Sequence, residues 1–229
     1  MVATLLEIRG MKRTFRQFLA PLSAGVVTIL MVLTVFYLLT LVCVLTKTWS
    51  LFSWLGLQGE GFWHGKLWTI VTYALIPATV LDALFNWIMI LVLGSWLERA
   101  WSRNQMWLLC LTSTLGVGLL YILVKSSSPL FLVGTTPVVF GFVAAWGWLC
   151  GHERILFWFM WEMSVRQAAI LMTIITWLAM AFGCVGPVIA TIMLGGSAAG
   201  LAHIWLHLRL VGARPSRTVD SERMGRLEL

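Results

Sequence analysis

The chain alternates long apolar runs with short polar segments. Six runs have about the length that a membrane-spanning helix needs, roughly 20 residues, and almost no charge. They cover residues 22–43, 80–97, 104–124, 133–151, 167–186 and 187–208. The pattern predicts an all-α, polytopic membrane protein. Its six transmembrane helices form one domain over residues 22–211, between an N-terminal segment (1–21) and a C-terminal tail (212–229).

The composition agrees with a chain that lies in a lipid bilayer. Apolar residues make up 60% of the sequence and charged residues 11%, whereas a soluble domain has about 45–50% and about 25%. These proportions exclude a soluble globular protein and a disordered chain. The net charge of +7 does not indicate nucleic-acid binding, because the basic residues flank long uncharged runs. The four cysteines are isolated and have no metal-ligand spacing, so we expect no metal and no cofactor.

The basic residues indicate how the helices are oriented. When the loops are assigned alternately to two sides, 13 of the 16 Lys and Arg residues fall on the side of the N-terminus. The other three are Lys47, Lys66 and Lys125. Cytoplasmic loops are enriched in Lys and Arg, so this split predicts that segments 1–21 and 212–229 are both cytoplasmic. The expected location is the bacterial inner (cytoplasmic) membrane.

The external loop 44–79 is unusually long and aromatic. Its rings are Trp49, Phe52, Trp54, Phe62, Trp63, Trp68 and Tyr73. The loop is either an interfacial aromatic belt or a segment that lies partly in the bilayer beside the bundle. We favour the second, because Gly56, Gly59, Gly61 and Gly65 interrupt any regular helix. A second aromatic stretch, 155–163, is expected to form a short interfacial helix or to extend the fourth run.

Four stretches of sequence carry a family resemblance. They are residues 65–111, with LDALFN at their centre, 133–149 (VGTTPVVFGFVAAWGWL), 153–167 (ERILFWFMWEMSVRQ) and 192–203 (IMLGGSAAGLAH). In this order they resemble the rhomboid family of intramembrane serine proteases, over about residues 57–208. The resemblance implies a six-helix bundle that cleaves peptide bonds with a serine on the fourth span and a histidine on the sixth. A histidine and an asparagine on the second span complete its oxyanion hole.

The residues that carry the family's chemistry are largely replaced. The resemblance places the serine of the GxSG motif at Thr136, followed by Pro137, and the histidine at Met193. Met193 has no nitrogen that could accept a proton, and a hydroxyl nucleophile near pH 7 needs such a base. Pro137 removes a backbone N–H that could stabilise an oxyanion. We therefore expect no serine-type proteolysis.

The oxyanion-hole histidine falls on Asp82, whereas its asparagine, Asn86, is retained. The two are four residues apart and share one face of the second span. Asp82 either forms a polar pocket that contacts a client or is solvated near the external interface, and both interpretations stay open. We expect Asn86 to hydrogen-bond across helices. The Trp-Arg pair of the family's first loop becomes Trp68-Thr69.

Small residues predict where two helices approach closely. They form steps of the small-xxx-small type on the fourth and sixth spans, where the resemblance implies that the two helices pack together. The residues are Gly141, Ala145, Gly195, Gly196, Ala199 and Gly200. On the sixth span, His203 and His207 share one face. They could ligate a haem, chlorophyll or metal, although uncoordinated interfacial histidines are the favoured interpretation.

Three functions agree with these residues. The first is a catalytically inactive, rhomboid-like protein that binds transmembrane helices of clients, or of partners in a stable membrane complex. The second is an intramembrane protease that uses Thr136. The third is a cofactor-bearing subunit of a respiratory or photosynthetic assembly, through His203 and His207. We favour the first, because the scaffold is kept while the catalytic serine and both functional histidines are replaced.

Overall fold

The computed structural model describes residues 23–47, 50–125, 130–152, 154–157, 161–183 and 186–211. The N-terminal segment 1–21 and the tail 212–229 lie outside this part of the chain. Among the described residues, five helical segments are long and apolar enough to cross a membrane. They are Ala24–Leu45, Val80–Ala100, Arg103–Val124, Val165–Phe182 and Pro187–Arg209. The predicted helical membrane fold is confirmed.

Helix α1 (Ala24–Leu45) leads into the aromatic loop, which contains three short helices instead of irregular chain. These are α2 (Ser50–Leu55), α3 (Gly59–Trp63) and α4 (Thr69–Thr72), the last continuing as a 3₁₀ turn, Tyr73–Leu75. The expectation that four glycines exclude helix was wrong for Gly59 and Gly61, which lie inside α3. Glycine weakens a helix by only about 1 kcal/mol, and packing overrides that cost.

The aromatic loop is fastened to the bundle by hydrogen bonds. Leu57 and Leu132 exchange two backbone bonds of 3.0 and 2.7 Å. The Tyr73 hydroxyl donates to the Thr114 carbonyl at 2.8 Å, in the middle of the third span. On the outer surface, the rings of Trp54 and Trp68 stack with centroids 6.2 Å apart. The loop therefore has a fixed position beside the helices and exposes aromatic rings outward.

The second span is one continuous helical segment with a change of winding. It consists of α5 (Val80–Met89), a π-helical turn (Ile90–Gly94) and α6 (Ser95–Ala100). A Cβ at Gly94 would lie 3.0 Å from Val26 and 3.1 Å from Phe142. The absent side chain thus lets the first and fourth spans approach the second at this turn.

Helix α7 (Arg103–Val124) is followed by α8 (Thr136–Leu149), which is shorter than the predicted run 133–151. At 1.5 Å per residue, 14 residues span only about 21 Å. Ten of the 14 residues are buried, so α8 is the central helix of the bundle. The prediction was too long because Val133 and Cys150 are apolar but lie outside the helix.

Residues 154–157 and 161–164 form two paired strands, so the expected interfacial helix or extension of α8 was wrong for these residues. Strand β1 (Arg154–Phe157) pairs with β2 (Trp161–Ser164) in antiparallel register, with Arg154 opposite Ser164. Aromatic side chains favour extended backbone, which explains why this apolar stretch is not helical. Ser164 then caps α9 (Val165–Phe182) through a reciprocal capping box with Gln167.

The last span is divided just after Met193. Helix α10 (Pro187–Met193) is followed by Leu194 and then by α11 (Gly195–Val211). The backbone N–H groups of Ser197 and Ala198 both bond the Leu194 carbonyl, at 3.0 and 3.3 Å, and so carry the helix across the division.

Glu98 fastens the start of α1 to the end of α6. Its carboxylate accepts bonds from the backbone N–H groups of Gly25 and Val26 at 3.2 and 3.1 Å. These are donors of a first helical turn, which has no intrahelical acceptors for them. Arg103 completes the arrangement with an ion pair of 2.9 Å to the same carboxylate.

Candidate functional site

Thr136 lies at the first turn of α8, behind a loop held against the aromatic loop. Gly134 has φ +125°, a conformation that side chains other than glycine rarely adopt. Its N–H donates to the Tyr73 carbonyl at 3.2 Å, and the Thr135 hydroxyl donates to the Ala74 carbonyl at 2.7 Å. The backbone before Thr136 is therefore fixed, and the Thr136 side chain is only 3% exposed.

Asp82 lies in the first turn of α5 and takes part in its N-terminal cap. Its N–H donates to the Thr79 hydroxyl at 3.1 Å. One of its own oxygens, Oδ2, accepts the Ala78 N–H at 3.1 Å. A carboxylate is stabilised at a helix N-terminus by the free N–H groups and by the helix dipole. The Asp82 side chain thus also stabilises the start of its own helix.

The other oxygen of Asp82 joins α5 to α8. The Thr136 hydroxyl donates to Asp82 Oδ1 at 3.0 Å, and the Asn86 amide donates to the same oxygen at 2.9 Å. Asn86 Nδ2 also lies 3.4 Å from the Thr136 hydroxyl oxygen, so Asn86 bonds across helices. We call Asp82, Asn86 and Thr136 the Asp82 cluster.

The Asp82 cluster has more acceptors than donors. Asn86 is 1% exposed, and its Oδ1 is buried without a hydrogen-bond partner among the described residues. An amide flip would turn that oxygen toward the Asp82 carboxylate, so the orientation is set by the network. Asp82 itself is half-buried. The groups that donate hydrogen bonds to the Asp82 carboxylate are neutral: a hydroxyl, an amide and a backbone N–H.

The contact between Asp82 and Thr136 was not anticipated from the sequence. The resemblance assigned the two positions to separate tasks, oxyanion hole and nucleophile. A signal was nevertheless present, because both residues lie in the first turn of spans that run in the same direction through the membrane. Their side chains therefore lie at the same depth.

Met193 is packed among apolar and aromatic side chains. It is 2% exposed and belongs to an apolar cluster with Tyr73, Tyr121 and Phe140. Pro137 occupies the second position of α8, where a backbone N–H would have no intrahelical acceptor. The position that the resemblance gives to a catalytic base therefore holds a packed apolar side chain.

The predicted packing residues lie where α8, α11 and α7 come together. A Cβ at Gly200 would be 3.0 Å from the Gly141 Cα, and one at Gly196 would overlap the Pro137 carbonyl. One at Gly116 on α7 would be 2.6 Å from the Ala199 Cβ. Gly195 is different, because a Cβ there would meet Val117 and Leu120 side chains at an ordinary 3.6 Å. Ala145 is fully buried.

His203 and His207 face one tryptophan near the other end of the bundle. The Trp101 ring meets both imidazoles edge-on, with centroids 5.8 and 5.0 Å away. His203 Nε2 lies 3.3 Å from Gln105 Oε1. Within the described part of the chain, no group of three or more His, Cys, Asp or Glu side chains is arranged to hold a metal.

The remaining positions of the resemblance lie in the aromatic loop. Trp68 donates its ring N–H to the Trp54 carbonyl at 2.9 Å. Thr69, in place of the family's arginine, is 1% exposed and donates its hydroxyl to the Lys66 carbonyl at 2.6 Å. His64 is exposed, with Nδ1 2.8 Å from the Glu60 carbonyl. These side chains hold the loop together.

Comparison with known proteins gives a family. A family described as "Eukaryotic integral membrane protein (DUF1751)" matches residues 27–223. No curated protein matches the chain. The description names eukaryotes, so it gives no support to the bacterial inner membrane expected above, and the orientation of the termini stays a prediction. Because the match covers most of the sequence, the chain belongs to this family of eukaryotic integral membrane proteins.

Proposed function

We propose that the protein is a non-catalytic, rhomboid-like membrane protein that binds transmembrane helices of other proteins, as a scaffold, assembly factor or accessory subunit. The observation that carries the proposal is the state of Thr136. Its hydroxyl is 3% exposed and donates to Asp82 while it accepts from Asn86. A hydroxyl engaged in this way serves as a structural link between α5 and α8.

The surroundings of Thr136 support the absence of acyl transfer. The position of the base holds Met193, and the hydrogen bonds described for the Thr136 hydroxyl go to Asp82 and Asn86, not to a histidine. His152 follows the opposite end of α8, His203 and His207 both contact Trp101, and His64 is exposed directly after α3. A dyad needs nucleophile and base within hydrogen-bond reach.

The outward face of α5 supports helix binding. Leu81 is 78% exposed and Ile88 60%, and Leu84 between them is also exposed. At spacings of three and four residues they form one apolar ridge. Asp82 follows Leu81 at the start of α5 and is half-buried, whereas Asn86 is on the buried side of the helix, so a helix packed along the ridge would meet apolar side chains and, at its outer end, Asp82. Interhelical packing and hydrogen bonds are what drive helix association in lipid.

A purification with two readouts, the identity and the stoichiometry of copurifying proteins, tests the proposal. A full-length tagged protein is purified from its native host in mild detergent, and the partners are identified and their stoichiometry measured. We expect a membrane protein at fixed stoichiometry, retained in Thr136→Ala. A protein that always runs alone would contradict the helix-binding role.

A second function is favoured by one contact, the 3.0 Å bond from the Thr136 hydroxyl to Asp82. In a threonine protease that carboxylate would accept the hydroxyl proton. A carboxylate is a weak base for an alcohol, however. Cleavage of a reconstituted transmembrane substrate by the wild type but not by Thr136→Ala would establish this function. We expect equal background in both samples.

A further inference from the structure

We propose that the Asp82 cluster receives the cationic side chain of a basic residue in a partner's transmembrane helix. The inference rests on the proposed helix-binding function and names the chemistry of the partner. Charge complementarity is the argument for this occupant, because the cluster combines a carboxylate with spare hydrogen-bond acceptors inside a membrane domain.

The donors and acceptors of the Asp82 cluster indicate which type of side chain it would bind. An ionised carboxylate has about four acceptor sites. The Asp82 carboxylate accepts three hydrogen bonds, from the Thr136 hydroxyl, the Asn86 amide and the Ala78 N–H. Asn86 Oδ1 adds a buried acceptor without a partner among the described residues. The donors of the cluster are thus in use while acceptors remain. A lysine ammonium or arginine guanidinium carries several donors and no acceptor.

The negative charge of Asp82 also favours a cationic partner. The three donors to Asp82 are neutral, so they stabilise the carboxylate without neutralising it. An acidic side chain inside a span is expensive and normally pairs with another charge or faces a wet cavity. Asp82 is half-buried, and its Oδ2 side is open where Ala78 donates to it. Asp82 is turned about 100° from Leu81 on α5, so a long basic side chain of a helix packed along Leu81, Leu84 and Ile88 would reach it around the start of α5 and neutralise it there.

The position of the cluster fixes the depth of the basic residue. Asp82 and Asn86 lie two and six residues after the start of α5, which is about 3 and 9 Å along the helix axis. The hydrocarbon core is about 30 Å thick. The partner's basic residue therefore belongs in the outer third of its span, on the side of the aromatic loop, one to two turns from the end.

The test uses the full-length protein in phosphatidylcholine vesicles, which contain no lipid primary amine. Three dansyl-labelled Leu/Ala helices of about 23 residues are compared: one with Lys one and a half turns from an end, one with Lys at the centre, and one with Leu instead. Energy transfer from the protein's tryptophans reports binding. We expect the off-centre Lys helix to bind at least about tenfold more tightly than the other two, or about 1.4 kcal/mol.

The variants assign the effect to the cluster. Asp82→Asn keeps the shape and the acceptor oxygen but removes the charge, and we expect it to abolish the preference for Lys. Glu60→Gln is the matched control, because it removes one negative charge from an exposed residue of α3 on the same side. We expect it to keep the preference.

The possible outcomes separate this inference from the proposed function. Equal binding of the Lys and Leu helices overturns the inference and leaves helix binding intact, whereas no binding of any helix overturns both. A preference that survives Asp82→Asn, or one that is equal for off-centre and central Lys, also overturns the inference. A preference that vanishes when phosphatidylethanolamine is added assigns the site to a lipid ammonium instead. The comparison of peptides on the wild type needs no variant to fold.

Discussion

Thr136 and Asp82 join two helices of the bundle through side-chain hydrogen bonds. In a rhomboid-like arrangement a hydroxyl at position 136 would face a base, but here it is bonded to a carboxylate and an amide. Each bond is modest by itself, since interhelical hydrogen bonds in membranes average about 0.6 kcal/mol. Together they fix the distance between α5 and α8 at the point where the resemblance would place catalysis.

This structural role can be measured on Thr136. We expect Thr136→Val to lower the free energy of unfolding by about 1 kcal/mol, because it keeps the shape but leaves Asp82 with one donor fewer. Reversible unfolding in mixed micelles gives the value. The control is Thr34→Val on α1, whose hydroxyl bonds only the Leu30 carbonyl of its own helix, at 2.7 Å. Equal losses for the two variants would contradict the interhelical link.

The glycines of α11 allow a comparison between neighbours. Gly196→Ala places a methyl group against the Pro137 carbonyl, and we expect it to cost about 1–3 kcal/mol of stability as other overpacked sites do. Gly195→Ala meets only side chains at 3.6 Å, so we expect little change or a small gain. Thermal unfolding of both variants in one detergent checks this order. The reverse order would show that α8 and α11 are not in close contact.

At the scale of elements, the helices are joined by specific polar contacts at both ends of the second span. The Asp82 cluster lies near the start of α5, and Glu98 near the end of α6 caps the first turn of α1. Helix α1 is otherwise widely exposed, with Leu45 and Met31 among its most accessible side chains. Its position in the bundle therefore depends strongly on Glu98.

We expect Glu98→Gln to loosen the start of α1 and to cost about 1–3 kcal/mol, since it weakens charge-assisted bonds to two backbone donors. Arg103→Gln is the matched control. This substitution removes only the Arg103 guanidinium, whose side chain is 57% exposed. Exposed ion pairs contribute about 0–1 kcal/mol. Hydrogen exchange of the Gly25 and Val26 amides should increase in Glu98→Gln alone. Equal exchange in both variants would argue against the cap.

The sequence predicted the long helices well and the short elements poorly. Apolar runs determine which segments enter a bilayer, so all six predicted runs begin within three residues of the start of a helix. The pattern could not reveal that α8 stops at Leu149, that residues 154–157 and 161–164 pair as strands, or that Gly59 and Gly61 lie inside α3. These features depend on packing against neighbouring helices, as the contact between Asp82 and Thr136 also does.

At the scale of the whole molecule, the positions that the rhomboid resemblance assigns to catalysis make structural contacts. Helices α8 and α11 pack closely against each other. The aromatic loop is bonded to α7 and to the residues just before α8. The apolar ridge of α5 is exposed. These features fit a protein that holds helices rather than one that cuts them. We therefore propose that a partner helix lies along α5.

The most direct test places a photo-crosslinking amino acid at Leu84 on the α5 ridge of the full-length protein in native membranes. Leu119, which is exposed on α7, is the control position. The account predicts a crosslinked, uncleaved partner of defined mass at position 84, absent at position 119 and unchanged in Thr136→Ala. Crosslinks to lipid alone at both positions, or a partner whose cleavage depends on Thr136, would contradict it.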